Sequence, residues 1–249
     1  MWTMISGVLW YPTSENAQFG FLPSEAGSLW VTFVGLLFCV PLGVMASIFI
    51  SEFASPRLKE ISKSVVEFMA AIPSVVFGLM GLALLVPWVK ETFDLSTGLT
   101  AFSAGLMVGV LTLPTIISIS EDAMHAVPQE LRFASAALGN NHWQTTYKVV
   151  IPAASSGIFA AVMLGLGRAI GETMVVLMVA GNSGIIPLTP FLPARTLPGT
   201  IAGELGEVIQ GGLHYSVLFA MGLVLFVSTF VVNLAADAVL ERQRRRWRR

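Results

Sequence analysis

Charge is what this chain has least of: acidic and basic residues make up only 12% of its 249 positions, about half the share of a soluble domain. Hydrophobic residues reach 55%, so the composition is that of a protein that places most of its surface in lipid. Cysteine is nearly absent. The single Cys39 excludes an intramolecular disulfide and a cysteine-cluster metal site, and reads as a small packing residue. His125, His142 and His214 are dispersed, with no i,i+4 pair and no nearby carboxylate cluster, which argues against metal chemistry. None of the four lysines follows a glycine, so there is no Gly-Lys-Ser/Thr phosphate loop with which to hydrolyse ATP. No Ser-His-acid arrangement or catalytically spaced carboxylate pair stands out, and no catalytic residue is assigned. Six of the fourteen basic residues fall in positions 242–249, directly after an apolar run; that placement suits a membrane surface better than nucleic acid.

What is present is long apolar runs. A bilayer core of about 30 Å needs roughly 20 apolar residues of helix, and five stretches qualify: 28–50, 64–89, 101–120, 153–180 and 214–236. Each must be helical to satisfy its own backbone in lipid, which predicts an all-α, multi-pass helical bundle. Pro41, Pro73 and Pro114 read as kinks inside three of the runs. Arg57, Lys59, Lys63, Arg132, Lys148 and the terminal arginines fall in alternate connections, against only Lys90 and Arg195 in the others. The positive-inside rule then places 51–63, 121–152 and 237–249 in the cytoplasm and 1–27 outside. The expected organisation is an extracytoplasmic segment 1–27, a membrane domain 28–236 and a basic cytoplasmic tail 237–249. Residues 1–27, with Trp2, Trp10 and Tyr11 and the acidic Glu15 and Glu25, lack the features of a signal peptide. They read as a segment that normally follows a preceding span, so a sixth helix upstream is expected, or else translocation of a short acidic tail.

The 121–152 connection reads as two short helices. Pro128 suits a first helical position, Leu131, Ala134, Ser135 and Leu138 recur at helical spacing, and Gly139 can close the turn. Asn141 then caps a helix through Lys148, before Pro152 opens the fourth span. The Leu131–Leu138 face is small enough to seat in another protein's groove; a solvated hairpin without a partner fits the same residues.

In the fourth run stands Gly167-Arg168-Ala169-Ile170-Gly171-Glu172-Thr173-Met174. Arg168 lies about 24 Å along a helix from Pro152, a depth at which a charge is costly and faces the bundle interior or a watery cavity. In a continuous helix Arg168 and Glu172 share one face, in the weaker order for an ion pair. One reading is an interhelical salt bridge, for instance with Glu67. The other is an anion path, because a guanidinium fork matches phosphate or carboxylate oxygens in pairs and Glu172 would oppose overly tight binding. Gly165, Gly167 and Gly171 remove bulk nearby and serve helix packing equally well. The connection 181–213 is predicted to hold an amphipathic helix from Leu197 to Gln210, ended by Gly211-Gly212. It is read as a gate, a docking surface, or simply a helix lying on the bundle, with Arg195 a candidate anion contact at the mouth.

Gly139, nine residues, then Val149-Val150-Ile151-Pro152 resembles the second half of the cytoplasmic motif of binding-protein-dependent ABC importer permeases, while Phe133-Ala134-Ser135 departs from its Glu-Ala-Ala start. Together with Ala70-Ala71-Ile72-Pro73-Ser74, the Gly167–Met174 segment, Gly181-Asn182, Pro193-Ala194-Arg195-Thr196 and Leu213-His214-Tyr215, the chain resembles the phosphate-specific ABC importer permeases, the PstC-type subunit more than the PstA-type. The resemblance runs from about Trp10 onward. It implies a type I importer permease fold, usually of six helices, in the bacterial cytoplasmic membrane. It implies a PstA-type partner, two ATPase subunits that bind ATP and Mg, an extracytoplasmic phosphate-binding protein, and no cofactor in this chain. Arg168 and Glu172 would match the family's charged pair in the path, and Ala134, Ser135, Leu138, Gly139, Val149, Ile151 and Pro152 its ATPase-coupling segment. Glu67, Pro73 and Asn182 would be polar or shape-setting positions of the membrane domain. Other readings of the same residues are an importer for sulfate or molybdate, and an intramembrane enzyme or sensor that binds an anionic ligand at Arg168.

Overall fold

A computed structural model describes residues 6–14 and 16–247, with backbone alone at 236, 237 and 239–247; Trp2, Glu15 and the last two arginines lie outside that range. The chain opens with a small antiparallel hairpin, β1 (Trp10–Tyr11) against β2 (Gln18–Phe19), Trp10 opposite Phe19. Helices then follow one another to the end: α1 (Leu22–Ile48), α2 (Pro56–Ala71), α3 (Ser74–Met80), α4 (Val86–Thr92), α5 (Ala101–His125), α6 (Gln129–Ala137), α7 (His142–Thr145), α8 (Ile151–Ile170), α9 (Met174–Val179), α10 (Leu197–Glu204) and α11 (Leu213–Trp247). Three π-turns, Phe49–Phe53, Gly81–Leu85 and Thr146–Val150, continue α1, join α3 to α4 and join α7 to α8.

Five helical stretches among the described residues are long and apolar enough to cross a membrane: Leu22–Phe53, Ser74–Thr92, Ala101–His125, His142–Ile170 and Leu213–Ala235. Just over half of the third is buried, against a third or less in the others. The outward faces of the others carry large apolar side chains such as Leu29, Phe33, Leu84, Phe226 and Phe230, the arrangement that lipid tolerates and water does not.

Several boundaries differ from those read in the sequence. The first span begins at Leu22, and the last helix runs without a break through the expected tail to Trp247. The run 64–89 is not one helix, because α2 stops at Ala71 and Pro73 is extended, with ψ 142°. A proline ring disfavours the helical region for the residue before it and donates no hydrogen bond, so Pro73 stops the helix rather than kinking it. Glu67 therefore sits on the separate, largely exposed α2 and outside the second span. Pro41 and Pro114 lie inside uninterrupted helices. In the fourth run the helix starts at His142, continues past Pro152 and ends at Ile170. The π-turn Thr146–Val150 comes where Pro152 would otherwise collide with the Lys148 carbonyl, and a wider turn relieves that clash. The helix expected over 197–210 is shorter than predicted, ending at Glu204.

The chain divides into two interleaved units. One comprises the stretch up to Phe38, Ile72–Leu111 and Gly167–Val232. Its cores are Val31, Ala104, Met107, Val108, Val175 and Val176 with their neighbours, and a second cluster of Trp10, Phe21, Leu197, Val217, Leu218 and Met221. Within it α1 meets α10 through a small-residue face: Ser24 Oγ lies 3.3 Å from Thr200 Oγ1, and Leu197 N donates to Ser28 Oγ at 3.0 Å. Gly27 belongs to that face, and a Cβ there would stand 2.0 Å from the Arg195 carbonyl oxygen. Gly27→Ala must displace backbone, at a cost of about 1–3 kcal/mol. A lowered thermal midpoint of the purified variant is expected; an unchanged midpoint would contradict the packing described. The other unit comprises Cys39–Ala71, Thr112–Leu166 and the stretch from Asn233, with a core of Met124, Val127, Val150 and Ala154.

Candidate functional site

The fourth apolar run carries the first candidate site, and its backbone is interrupted there. Helix α8 ends at Ile170, Gly171–Thr173 is not helical, and α9 begins at Met174. Glu172 supplies the reason: its Oε1 accepts from Val175 N at 3.3 Å, close to the start of α9, and Thr173 Oγ1 donates to the Gly171 carbonyl at 3.2 Å. Local side-chain bonds of this kind compete with continued helix, and Gly171 adds no side-chain packing to oppose them. Arg168 and Glu172 thus do not share one helical face, contrary to the i,i+4 reading. Arg168 is exposed in the last turn of α8, Glu172 is half-buried in the break, and Ala169 between them is buried with Val175 and Val176. Irregular backbone within an apolar run at membrane depth is sustained where it is buried in protein or lines a watery cavity, and discontinuous helices of this kind mark ion and substrate sites in membrane carriers. Of the nearby glycines, Gly165 packs on Ile116, while Gly167 faces open space.

A second polar cluster lies around the 181–213 connection. Arg195 pairs with Glu204, donates from Nη2 to the Asn182 carbonyl at 3.2 Å, and sits 5.9 Å above the Trp10 ring. Glu204 also accepts from Trp10 Nε1 at 3.0 Å and lies 2.9 Å from His214 Nε2. Asn182, at φ 51°, donates from Nδ2 to the Leu177 carbonyl at 2.8 Å and so closes the end of α9. Arg195 is therefore engaged by a carboxylate of its own chain. The contact between Trp10 and Glu204 carries no signal in the sequence, because the two lie 194 positions apart.

The hairpin of α6 and α7 is built from local chemistry. Pro128 is the N-cap of α6 rather than its first residue, Gly139 turns the chain at φ 83°, and Asn141 and Gln144 form a capping box at α7. That positive φ suits glycine because an added Cβ would crowd the backbone. Ser135 is buried, 2.9 Å from Thr145 Oγ1, and Asn140 Nδ2 donates to Ser135 Oγ at 3.1 Å. Ala134 points outward, beside Phe133 (70% exposed) and Leu138 (84% exposed). Trp143 and Tyr147, which the spacing did not single out, extend the same exposed apolar set. Val149 and Ile151 are half-buried, and Pro152 lies within α8.

In the same unit, Lys59 and Lys63 each approach the buried Glu121 carboxylate to 2.8 Å. The hydrogen bond to Glu121 holds the Lys63 ammonium above its ordinary range. A cavity of about 140 Å³ here is lined by Lys63, Glu67, Ser118, Glu121 and Asp122 among others. The described residues contain no group of three or more His, Cys, Asp or Glu placed to hold a metal ion.

Residues 39–249 match the family of binding-protein-dependent transport system inner membrane components. The chain belongs to that family. The permease is 40% identical over 230 residues to a probable ABC transporter permease protein, YqgH, of Bacillus subtilis, an overlap covering 92% of this chain and 74% of that protein. It is 36% identical to the phosphate transport system permease protein PstC of Mesorhizobium japonicum, with 94% and 76% covered. Among solved structures, an inward-facing MetNI methionine ABC transporter chain superposes with a TM-score of 0.69 at 20% identity, covering 90% of this chain and 96% of that one. A chain of a bacterial alginate ABC transporter gives 0.66 at 16%, covering 92% and 80%. The permease thus has the all-α fold of ABC importer membrane subunits and is a transport component rather than an enzyme.

Proposed function

We propose that this permease forms, with a PstA-type partner, the translocation path of an ATP-driven importer of inorganic phosphate in a bacterial cytoplasmic membrane. The observation that carries the reading is Arg168, an exposed residue in the last turn of the fourth span, just before a helix break in the apolar run. The relatives named phosphate transport system permease protein PstC, from 31 to 36% identical over most of the chain, support phosphate as the substrate. A guanidinium donates to phosphate oxygens in pairs, and the carboxylate of Glu172 weakens the hold on an anion enough for it to leave. Phosphate arrives from an extracytoplasmic binding protein. ATP and Mg are bound by two ATPase subunits seated on the α6–α7 hairpin, through Ala134, Leu138 and their exposed neighbours, with Ser135 and Gly139 fixing its shape. On this view the hairpin and the C-terminus are cytoplasmic, as the distribution of lysine and arginine favours. Arg195, paired with Glu204, has a structural role at the outer face.

The test is uptake of labelled phosphate by cells that lack their own PstC-type subunit, supplied with this chain and its partner subunits or with an empty vector. Uptake above the vector control, suppressed by excess phosphate but not by sulfate or molybdate, is the expected outcome. Suppression by either of those anions instead would assign the path to that oxyanion.

A further inference from the structure

We propose that the Glu52–Arg132 ion pair is the mechanical tie that makes the first span follow the α6–α7 hairpin, a positioning role for two residues that touch no substrate. The inference rests on the reading of that hairpin as the seat of an ATPase.

The hairpin has covalent connections to two spans. A short link, residues 126–128, joins it to α5, and α7 runs on into α8 through the π-turn. The first span has no such connection, because the chain leaves it at Phe53 and enters α2. It is tied to the hairpin by side chains instead. Arg132 Nη1 meets Glu52 Oε2 at 2.5 Å, and Nη2 donates to the Met124 carbonyl, in the last turn of α5, at 2.9 Å. Glu52 is held in turn by Ser51 Oγ, which donates to its Oε1 at 2.9 Å. Its side chain is 2% exposed and that of Arg132 17%. The second helix of the hairpin is attached at the same place: His142 Nε2 lies 2.6 Å from the Glu52 carbonyl oxygen, and the Phe53 ring packs edge-on to His142 at 5.1 Å. The π-turn Phe49–Phe53 ends the first span, where main-chain carbonyls lack helical partners, and His142 fills one of them.

Apolar contacts would have filled this space at lower desolvation cost. An apolar contact resists compression but slides under shear, whereas a charge-assisted hydrogen bond fixes direction and register. Arg132 sits next to Phe133, which is 70% exposed, so a partner that grips the outside of α6 pulls on a residue whose neighbour is anchored to two spans. Displacement of the hairpin therefore reaches the first span through Glu52 and Arg132.

The experiment uses the complete transporter, this chain with its partner permease, ATPase and binding protein, reconstituted in lipid. Spin labels at Met45→Cys on the first span and Gln129→Cys on α6 report their separation without nucleotide and with ATP and vanadate, the buried Cys39 left in place. With Glu52 and Arg132 intact, one distance holds in both states. In Glu52→Ala and in Arg132→Ala the distance changes with nucleotide, and uptake falls about tenfold while the ATPase still co-purifies and hydrolyses at its basal rate. The exchanged pair, Glu52→Arg with Arg132→Glu, recovers most of the uptake. A distance that stays constant in both alanine variants overturns the tie. So does loss of the ATPase from the complex, which would make the pair part of the docking surface. If the parent transporter imports no phosphate, the proposed substrate falls, and the label distances still decide the tie.

Discussion

Arg168→Gln should reduce phosphate uptake by about a hundredfold, since two hydrogen bonds from a charged donor each lose on the order of 1.5 kcal/mol or more when the charge is removed. Glutamine keeps polarity and much of the length, so lost packing cannot account for the defect. The variant should insert and assemble normally, because position 168 is exposed in the last turn of α8 and the buried neighbour that anchors this turn is Ala169. Arg168→Lys should fall between the two, retaining charge while losing the planar fork. The measurement is initial uptake per inserted molecule, quantified on the same membranes. Parental uptake by a fully inserted Arg168→Gln chain would assign the arginine a structural role and remove the central support for an anion path.

Glu204→Ala should be the most destabilising single change in the cluster around Arg195. Glu204 accepts from the Trp10 indole, pairs with Arg195 and meets His214, joining β1, the loop before α10 and the start of α11. Its loss removes the carboxylate partner of Arg195, whose side chain is 16% exposed, whose Nε already lacks a hydrogen-bond partner, and which keeps only the Asn182 carbonyl and the Trp10 ring. Losing the hydrogen bonds of a half-buried charged group costs about 1.5–3 kcal/mol, which for a chain of this size corresponds to a fall of roughly 5–10 °C in thermal midpoint. Glu204→Gln, still able to accept from Trp10, should lose less. Thermal unfolding of the purified complexes decides the matter: equal midpoints for all three would show that the cluster carries no net stability.

Local chemistry was the most legible layer of this chain. Pro128, Gly139 and Asn141 mark the hairpin ends in the sequence, and the structure uses each of them within a residue of the expected place. The number of spans followed from apolar length, because lipid leaves a segment few other choices. The break at Gly171–Thr173 was invisible for the same reason: the apolar run continues through it, and the Glu172 carboxylate that interrupts it looks, in sequence, like half of an i,i+4 pair. Pro73 was legible as a residue but not in its effect, since lipid-embedded helices tolerate proline at Pro41 and Pro114. The clusters on Glu204 and Glu52 were beyond reach because they close between residues 194 and 80 positions apart, and neither apolar period nor charge count encodes such a distance.

The interleaving of the two units bears on biosynthesis. Each draws on three separated stretches of the chain, and the cluster around Trp10 and Phe21 is completed by residues from Leu197 to Met221. A nascent chain that has emerged only as far as Leu166 therefore holds two of the six buried members of that cluster. Its early helices must wait in the membrane, their apolar faces covered by lipid or by the insertion machinery, until the last third of the protein has been made. Folding as an independent domain while synthesis proceeds, the usual route for modular proteins, is closed to both units, and a premature stop anywhere before α11 leaves neither of them whole.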